Sequence, residues 1–368
     1  MSQKVLIYPF EAKHFAFVSK LTDLNPGFKI MAVCSSVGSG LIDHDIAYSI
    51  NWDPVGITVQ RFSKELLSNC DTVIVLSNLN CDIKRDSFKL IHQAIKFQKN
   101  IICCMELSKR ETKLIEKWKL ESQYKSNLDF LMDRLKQEYT YMHRMFKHYT
   151  PRAPIVFIGG ILEEANQEEV LLSLYAELKS QGYRISGLGN APTLDLIGLN
   201  SYYYTLQEKS PIQTIERLNN YIANIERSEC PELILIQLPG ALMKFDNIIK
   251  ADFGIYSYMF SLAASPDLLV CCTLCNALDD QFLASIETEL ERKLRVPSVV
   301  YCLSNVILNN SKSLEFKSPQ YYRLSPREIE EELVKTEQEL SRRVYSVKRK
   351  DDRKILSNRI LSDLTPES

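Results

Sequence analysis

The sequence has no excess of charge of either sign: 45 Lys and Arg residues nearly balance 46 Asp and Glu residues, and the net charge is −1 at pH 7. A chain without a net field is not expected to bind nucleic acid or an anionic membrane. No apolar run approaches the roughly 18 residues that a membrane-spanning helix needs. The opening residues, MSQKVLIYPF, lack a basic segment followed by a long apolar one, so no signal peptide is expected. These absences predict a cytoplasmic protein.

The ten cysteines are not expected to form disulfides, because the chain lacks a secretory signal and most of them lie in apolar strand patterns. One group stands apart. Cys272 and Cys275 lie at the end of one predicted strand, and Cys302 ends the following one. Since parallel strands end at the same edge of a sheet, these thiols could meet and hold zinc or an iron–sulfur cluster. The absence of a second CxxC pair favours the interpretation without metal.

Length and periodicity predict the fold. A chain of 368 residues is expected to form about two domains. Short β-rich runs alternate with helical patterns, which favours parallel, doubly wound sheets. We therefore predict an α/β protein with two Rossmann-like domains. Its parts are the first domain at residues 1–120, a helical connector at 121–150, the second domain at 151–325 and a charged, loosely held helical tail at 326–368.

The second predicted domain opens with a strand, a glycine turn and a helix. The apolar run 155–158 ends in Gly159 and Gly160, and a helical pattern starts near Asn166. In an open α/β sheet such a junction borders the crevice where ligands bind. Its backbone N–H groups can also cradle a phosphate. A looser glycine loop, SSVGSG at residues 35–40, follows the second strand of the first domain; it either approaches a ligand or is only a turn.

The glycine turn lacks the residues that hold a phosphate. A P-loop reads GxxxxGK[ST], in which Lys neutralises the phosphate and Ser or Thr reaches magnesium. Residues 161–169 contain no Lys, Ser or Thr, but they contain four carboxylates: Glu163, Glu164, Glu168 and Glu169. These groups suit the positive end of a helix and repel a phosphate. We therefore predict a degenerate P-loop, with an ordinary solvated helix start preferred to a metal-seeking acidic cluster.

A second group is missing from the strand in residues 232–238. This strand occupies the place of a Walker B strand, whose terminal Asp or Glu holds magnesium. The residue here is Gln237, and a neutral amide is a far poorer magnesium ligand. Further candidates for the same crevice lie where neighbouring strands end: Gly187, Gly189, Asn190, Pro239 and Gly240. The rival interpretation is a nucleotide-dependent transferase or NTPase that uses a non-standard phosphate loop at Gly159 and Gly160.

Three consecutive tyrosines, Tyr202, Tyr203 and Tyr204, form an unusual aromatic run. If they are exposed, they suit peptide binding, because aromatic side chains dominate such interfaces. If they are buried, they belong to the core. The sequence leaves both interpretations open.

Five segments of the chain resemble a known family: KVLIYPF, GITVQRFSKELLSNCDTVIV, IVFIGGILEEANQEEVLLSLYAELKSQGYRISGLG, ELILIQLPGALMKFDN and ADFGIYSYMFSLAASPDLLV. In order, spacing and character they resemble the clostridial peptide maturation system proteins. The genes of that family lie beside those of radical-SAM maturases and Cys-rich precursor peptides. The resemblance covers about residues 4–310. It implies a cytoplasmic accessory protein for making a ribosomally synthesised, post-translationally modified peptide.

This sequence departs from the family pattern at both phosphate positions. The family usually has a lysine near the helix start, where this chain has Gln167 and Glu168, and its Pro-Gly-Gly becomes Pro239-Gly240-Ala241. Cysteines at 271, 272 and 275 are not part of the pattern. The resulting expectation is a non-catalytic or weakly catalytic scaffold that binds the precursor peptide, the radical-SAM maturase or both, without a cofactor. A homo-oligomer is an open alternative to a monomer. Nucleotide and metal binding remain the alternatives.

Overall fold

The computed structural model describes residues 2–78, 80–142, 147–244, 253–276 and 278–365. The chain divides into two compact units. Unit 1 comprises Met1–Tyr141 and Pro192–Gly198, and unit 2 comprises Met142–Ala191 and Leu199–Ser368. The return of 192–198 to unit 1 has no signal in the sequence; within that unit Arg134 forms a salt bridge of 2.7 Å with Asp195.

Unit 1 contains one six-stranded parallel sheet flanked by helices. Its strands are β1 (Gln3–Tyr8), β2 (Phe28–Ser35), β3 (Val59–Arg61), β4 (Thr72–Val75), β5 (Asn100–Cys103) and β6 (Leu128–Phe130). Its helices are α1 (Phe15–Leu24), α2 (Lys64–Asn69), α3 (Cys81–Lys96), α4 (Lys109–Glu121) and α5 (Leu131–Tyr141). The strand order is β3-β2-β1-β4-β5-β6. The two central strands carry the buried runs VLIY and TVIV, as strands covered on both faces require.

Unit 2 contains a seven-stranded parallel sheet and a separate two-stranded antiparallel sheet. Its strands are β7 (Ile155–Gly160), β8 (Ile185–Gly189), β9 (Asn200–Ser201), β10 (Leu233–Ala241), β11 (Leu268–Thr273), β12 (Val299–Leu303), β13 (Val306–Leu308), β14 (Tyr321–Arg323) and β15 (Val344–Tyr345). Its helices are α6 (Gln167–Ser180), α7 (Pro211–Glu229), α8 (Ile255–Ala263), α9 (Asp280–Leu294), α10 (Asn310–Phe316), α11 (Pro326–Glu339) and α12 (Lys350–Leu364). The sheet order is β15-β12-β11-β7-β10-β8-β9, and β13 pairs with β14.

The predicted α/β class with parallel, helix-flanked sheets is confirmed in both units. Two predicted segments differ. The connector at 121–150 contains β6, which pairs with β5 and so extends the sheet of unit 1. The tail at 326–368 is not loosely held, because β15 joins the large sheet and Leu356 and Ile360 of α12 are fully buried. Residues 143–146 of the connector and 366–368 of the tail lie outside the described residues.

Among the described residues, no helix combines the length and apolarity needed to cross a membrane. The start of α11 shows how local sequence begins a helix. Ser325 caps α11 by accepting the backbone N–H of Glu328, whose side chain accepts the Ser325 N–H in return. This capping box explains why the sequence SPREIEEEL begins a helix at its proline.

Candidate functional site

The glycine turn lies at the centre of the large sheet of unit 2. Strand β7 pairs with β10 on one side and with β11 on the other. At the carboxyl edge, Gly160 is in register with Ala241 of β10 and with Cys272 of β11. The predicted proximity of the glycine turn to the end of the Walker-B-like strand is therefore confirmed. In an open parallel sheet this is the edge where ligands bind.

Protein side chains fill the space beside both glycines. A Cβ atom on Gly159 would lie 2.4 Å from Cδ2 of Leu242, and one on Gly160 would lie 2.2 Å from Nε2 of Gln167. Gln167 is only 4% exposed, and its amide donates to the carbonyls of Leu162 (3.1 Å) and Gly240 (3.4 Å). A neutral amide and a leucine thus occupy the positions closest to the turn.

Backbone N–H groups of the turn donate to protein carbonyls. The N–H of Ile161 donates to the carbonyl of Cys272 at 2.9 Å, and the N–H of Ala165 donates to the carbonyl of Leu162 at 3.3 Å. A phosphate cradle needs such groups unpaired and pointing at the ligand. The missing lysine, the filled space and the paired amides agree, so the residues present do not fit a bound triphosphate.

Two cations reach this loop from distant parts of the chain, and sequence reasoning missed both. Arg323 of β14 donates to Oδ1 of Asn166 at 2.8 Å and lies 3.4 Å from Oε2 of Glu164. Lys348, which is nearly buried, lies 2.6 Å from Oε1 of Glu169. They are about 160 and 180 residues away from their partners along the chain, so no local pattern identifies them. Their charges neutralise two of the four carboxylates that the sequence left uncompensated.

Asn166 joins the turn to the two-stranded sheet β13–β14. It adopts a left-handed conformation with φ of 61°, which asparagine tolerates better than most residues. Its side-chain amide donates to Asn305 at 2.9 Å, and Asn305 donates to the carbonyl of Leu324 at 3.1 Å. The predicted crevice residue Asn166 therefore belongs to a structural network.

The two remaining carboxylates differ from each other. Glu163 is exposed, as a solvated helix start predicts. Glu168 is partly buried, and its carboxyl group has no ion pair or hydrogen bond among the described residues. Burial therefore raises the pKa of this carboxyl group to about 7. A carboxyl group in this state holds a proton near neutral pH.

Gln237 occupies the Walker-B-like position. Its backbone carbonyl accepts a hydrogen bond of 2.6 Å from the hydroxyl of Tyr202. Its side-chain Oε1 is buried and has no hydrogen-bond donor among the described residues. An amide held in this way offers no negative charge for magnesium.

Tyr202 is a core residue, so its interpretation as a peptide-binding side chain is wrong. It is fully buried, and its ring packs edge-to-face against Phe260 with centroids 4.9 Å apart. Tyr203 and Tyr204 are half-buried and pack against each other at 5.3 Å. Only Tyr203 and Tyr204 therefore reach the solvent.

The other predicted crevice residues have structural roles or lie at its margin. A Cβ atom on Gly187 would lie 2.6 Å from Cδ2 of Leu199, so close packing requires glycine there. Gly189 is buried and its carbonyl accepts the N–H of Tyr202. Asn190 is exposed, and Pro239 and Gly240 are half-buried, with Gly240 at a φ of 69°.

Two of the three predicted cysteines, Cys272 and Cys302, are neighbours, but they lie in the core. Cys272 and Cys302 are direct partners in the pairing of β11 with β12. Burial raises the pKa of the Cys272 thiol well above its ordinary value and raises the pKa values of Cys275 and Cys302 to about 12. Without a metal these thiols therefore keep their protons, and a metal would have to displace them in order to bind. Within the described ranges, no group of three or more His, Cys, Asp or Glu side chains is arranged to hold a metal.

Comparison with known proteins places the fold but not the chemistry. No protein-family model matches the chain, and no curated protein matches it. The chain is similar to the crystal structure of a DUF1611 family protein from Anabaena variabilis, with a TM-score of 0.62 and 10% identity over 98% of this chain and 100% of that one. At this identity the likeness shows a shared fold alone.

Two further matches are structures of cobyrinic acid a,c-diamide synthase from Mycobacterium smegmatis, one with bound ADP and magnesium and one with a bound ATP analogue and magnesium. Each is 11% identical and covers 41% of this chain, and they cover 74% and 72% of the synthase chains. Their TM-score is 0.27, so no argument about this chain rests on them.

Proposed function

We propose that this chain is an accessory protein in the maturation of a ribosomally synthesised, post-translationally modified peptide, and that it acts by binding the radical-SAM maturase, the precursor peptide or both. The maturation context rests on the sequence resemblance of residues 4–310. The binding role, as opposed to a nucleotide-driven one, rests on the glycine turn of unit 2. There Gln167 and Leu242 fill the space beside Gly159 and Gly160, and the Ile161 and Ala165 amides are paired within the protein.

Helix α8 supplies the surface for a protein partner. Ile255, Tyr258 and Leu262 follow one another at helical spacing and are 55%, 46% and 40% exposed. Tyr256 and Phe253 extend this apolar row. The opposite face of the helix, with Met259 and Phe260, is buried in unit 2. Exposed rows that combine aromatic and aliphatic side chains are typical of protein interfaces.

The occupant of the α8 row that fits best is the folded maturase rather than an extended peptide. An extended peptide binds by adding a strand to an open sheet edge. The edge strands of the large sheet, β9 and β15, have two residues each and offer little edge. A convex helix face instead fits a groove or another helix on a folded partner.

Co-purification tests this proposal. The tagged chain is expected to retain the co-expressed radical-SAM maturase, and the double substitution Ile255→Glu with Tyr258→Glu is expected to reduce that retention at least about tenfold, as loss of an apolar anchor does. The matched control is Val334→Glu on α11, a single charge at an exposed apolar position elsewhere in unit 2. Failure to retain either the maturase or the precursor peptide contradicts the proposed function; equal retention by the α8 variant and the control contradicts the assignment of the surface.

The rival function, a nucleotide-dependent enzyme with a non-standard phosphate loop, makes the opposite prediction. It requires magnesium-dependent hydrolysis of ATP or GTP, or transfer from it, by the purified protein. Our proposal expects no turnover. Sustained turnover that disappears in Gly160→Ala would replace the binding role by the catalytic one.

A further inference from the structure

The sheet of unit 1 has a ligand crevice of its own. From β1 the chain proceeds to β2 and β3 on one side of the sheet and then to β4, β5 and β6 on the other. The direction of winding therefore reverses between β1 and β4. At such a switch point the loops that follow the strands diverge and leave a crevice at the carboxyl ends. This crevice lies in a unit to which nothing in the proposed function assigns a role.

Two adjoining cavities, of about 260 and 530 Å³, fill this crevice. Both are lined by Ser36 and Val37 of the loop after β2 and by Asp86 of α3. Together they fall in the range of cavities that hold small molecules, about 300 to 1,000 Å³. The loop leaves the crevice open: a Cβ atom on Gly38 would meet nothing within 4 Å.

Arg61 gives the smaller cavity an available positive charge. It ends β3, lines the cavity and is exposed. Its guanidinium group has no ion pair and no hydrogen bond among the described residues. The acids along the crevice are already paired with neighbouring cations: Glu11 with Lys13, Asp82 with Arg85 and Asp86 with Lys89. A free guanidinium at a cavity wall matches the fork geometry of a carboxylate or phosphate.

Tyr8 adds a hydrogen-bond donor to the same cavity. It is the last residue of β1, it lines the cavity and it is only 5% exposed. Its hydroxyl has no hydrogen bond among the described residues. Burial and the nearby charge of Asp86 raise the pKa of this tyrosine to about 12, so the hydroxyl keeps its proton. A hydroxyl at a cavity wall with no protein partner is available to donate a hydrogen bond to a ligand.

The remaining wall is apolar. Val37 is 73% exposed at the tip of the loop, Phe62 is half-buried and Leu90 of α3 is buried. This surface can contact the body of a ligand whose charged group lies at Arg61. Such a division into one charged anchor, one polar donor and apolar walls is typical of sites for small molecules.

We infer that unit 1 binds a small metabolite that carries an oxyanion group, either a carboxylate or a phosphate. Arg61 holds the oxyanion, the Tyr8 hydroxyl donates a hydrogen bond to the ligand, and Val37 and Phe62 contact its body. This inference is independent of the proposed function, because its residues lie in unit 1 and the α8 row lies in unit 2.

Calorimetric titration of the full chain tests it with four probes. Adenosine 5′-monophosphate and glucose 6-phosphate represent phosphates; citrate and glutamate represent carboxylates. We expect at least one probe to bind with a Kd below about 1 mM, and the group that binds identifies the source of the oxyanion. Arg61→Gln is expected to weaken that binding about tenfold or more, since hydrogen bonds to charged groups are stronger than those between neutral groups. Tyr8→Phe is expected to weaken it by roughly threefold to tenfold.

Arg110→Gln on α4 is the matched control, because Arg110 is also exposed, belongs to unit 1 and lies outside the crevice. It is expected to bind like the unmodified protein. Absence of binding by all four probes overturns the inference. So does binding that Arg61→Gln leaves unchanged, or that Arg110→Gln weakens equally.

Discussion

The two units have the same kind of crevice at the same place in a parallel sheet, yet one is filled and the other is open. In unit 2, Gln167 and Leu242 occupy the space beside the glycine turn. In unit 1, Ser36 and Val37 border open cavities beyond the ends of β1 and β2. Topology therefore creates the crevice in both units, and side chains from other elements decide whether a ligand has room to enter.

The two crevices also differ in how their charged side chains are paired. In unit 2 the cations Arg323 and Lys348 are paired with carboxylates of the turn itself, so the protein satisfies its own loop. In unit 1 the acids are paired with neighbouring lysines and arginines, and Arg61 keeps its charge available. A crevice that balances its own charges is a structural element, whereas one with an unpaired charge at an open wall is a binding site.

The largest expected effect on stability comes from removing a cation beside the filled crevice of unit 2. Lys348→Met leaves the partly buried carboxylate of Glu169 without its cation, and breaking a buried pair in this way costs about 3 to 5 kcal/mol of unfolding free energy. The matched control is Lys119→Met, which breaks the solvent-exposed pair with Glu116 in unit 1 and should cost less than about 1 kcal/mol. Chemical denaturation followed by far-UV circular dichroism measures both. Equal losses of unfolding free energy in the two variants would contradict the burial of the Lys348–Glu169 pair in the filled crevice.

The next largest effect is a dependence of the stability of unit 2 on pH. The pKa of Glu168 is about 7 in the folded protein and 4.5 ordinarily, so the folded state binds more protons between these values. Stability is therefore lost as the pH rises from about 4.5 to 7. Glu168→Gln carries no charge at any pH and should stabilise the protein at pH 8 by up to about 3 kcal/mol, with little effect at pH 4. Denaturation at several pH values checks this, and a difference independent of pH would contradict it.

A smaller effect is expected at the glycine turn. Gly160→Ala places a methyl group 2.2 Å from the Gln167 amide and 2.4 Å from the backbone carbonyl of Leu162, so overpacking should cost about 1 to 3 kcal/mol. Gly159→Ala meets only the side chains of Leu242 and Leu238 and should cost less. Thermal unfolding ranks the two variants. If both were neutral, the turn would have room for a ligand and the contrast with unit 1 would fail.

The smallest expected effect on stability is that of a substitution at Gln237, the Walker-B-like position of the filled crevice. Gln237→Leu removes a buried oxygen that lacks a donor, so the substitution should be neutral or stabilise the protein by about 1 kcal/mol. A loss of more than about 2 kcal/mol would mean that this amide has a partner and that the crevice is built differently.

The predictable part of the structure is the part that local patterns determine. Alternating strands and helices predicted both parallel sheets. The missing lysine and acid predicted a turn unsuited to phosphate beside Gly160, which stays a prediction supported by the side chains that fill this space. The signals that failed were nonlocal. Arg323 and Lys348 reach the turn from beyond residue 320, and Arg61 appears in the sequence as an ordinary charged residue at a strand end. The sequence left the tyrosine run open between peptide binding and the core, and the structure buries Tyr202.

Hydrogen–deuterium exchange of the full chain, with and without saturating Mg·ATP, tests the central claim most directly because it locates any bound nucleotide. We predict that amides of residues 155–170, from β7 through the start of α6, exchange at the same rate in both conditions, since side chains fill the space beside Gly159 and Gly160 and the Ile161 and Ala165 amides are already paired within the protein. Slower exchange of that segment in Mg·ATP would contradict the account and restore a nucleotide site in unit 2.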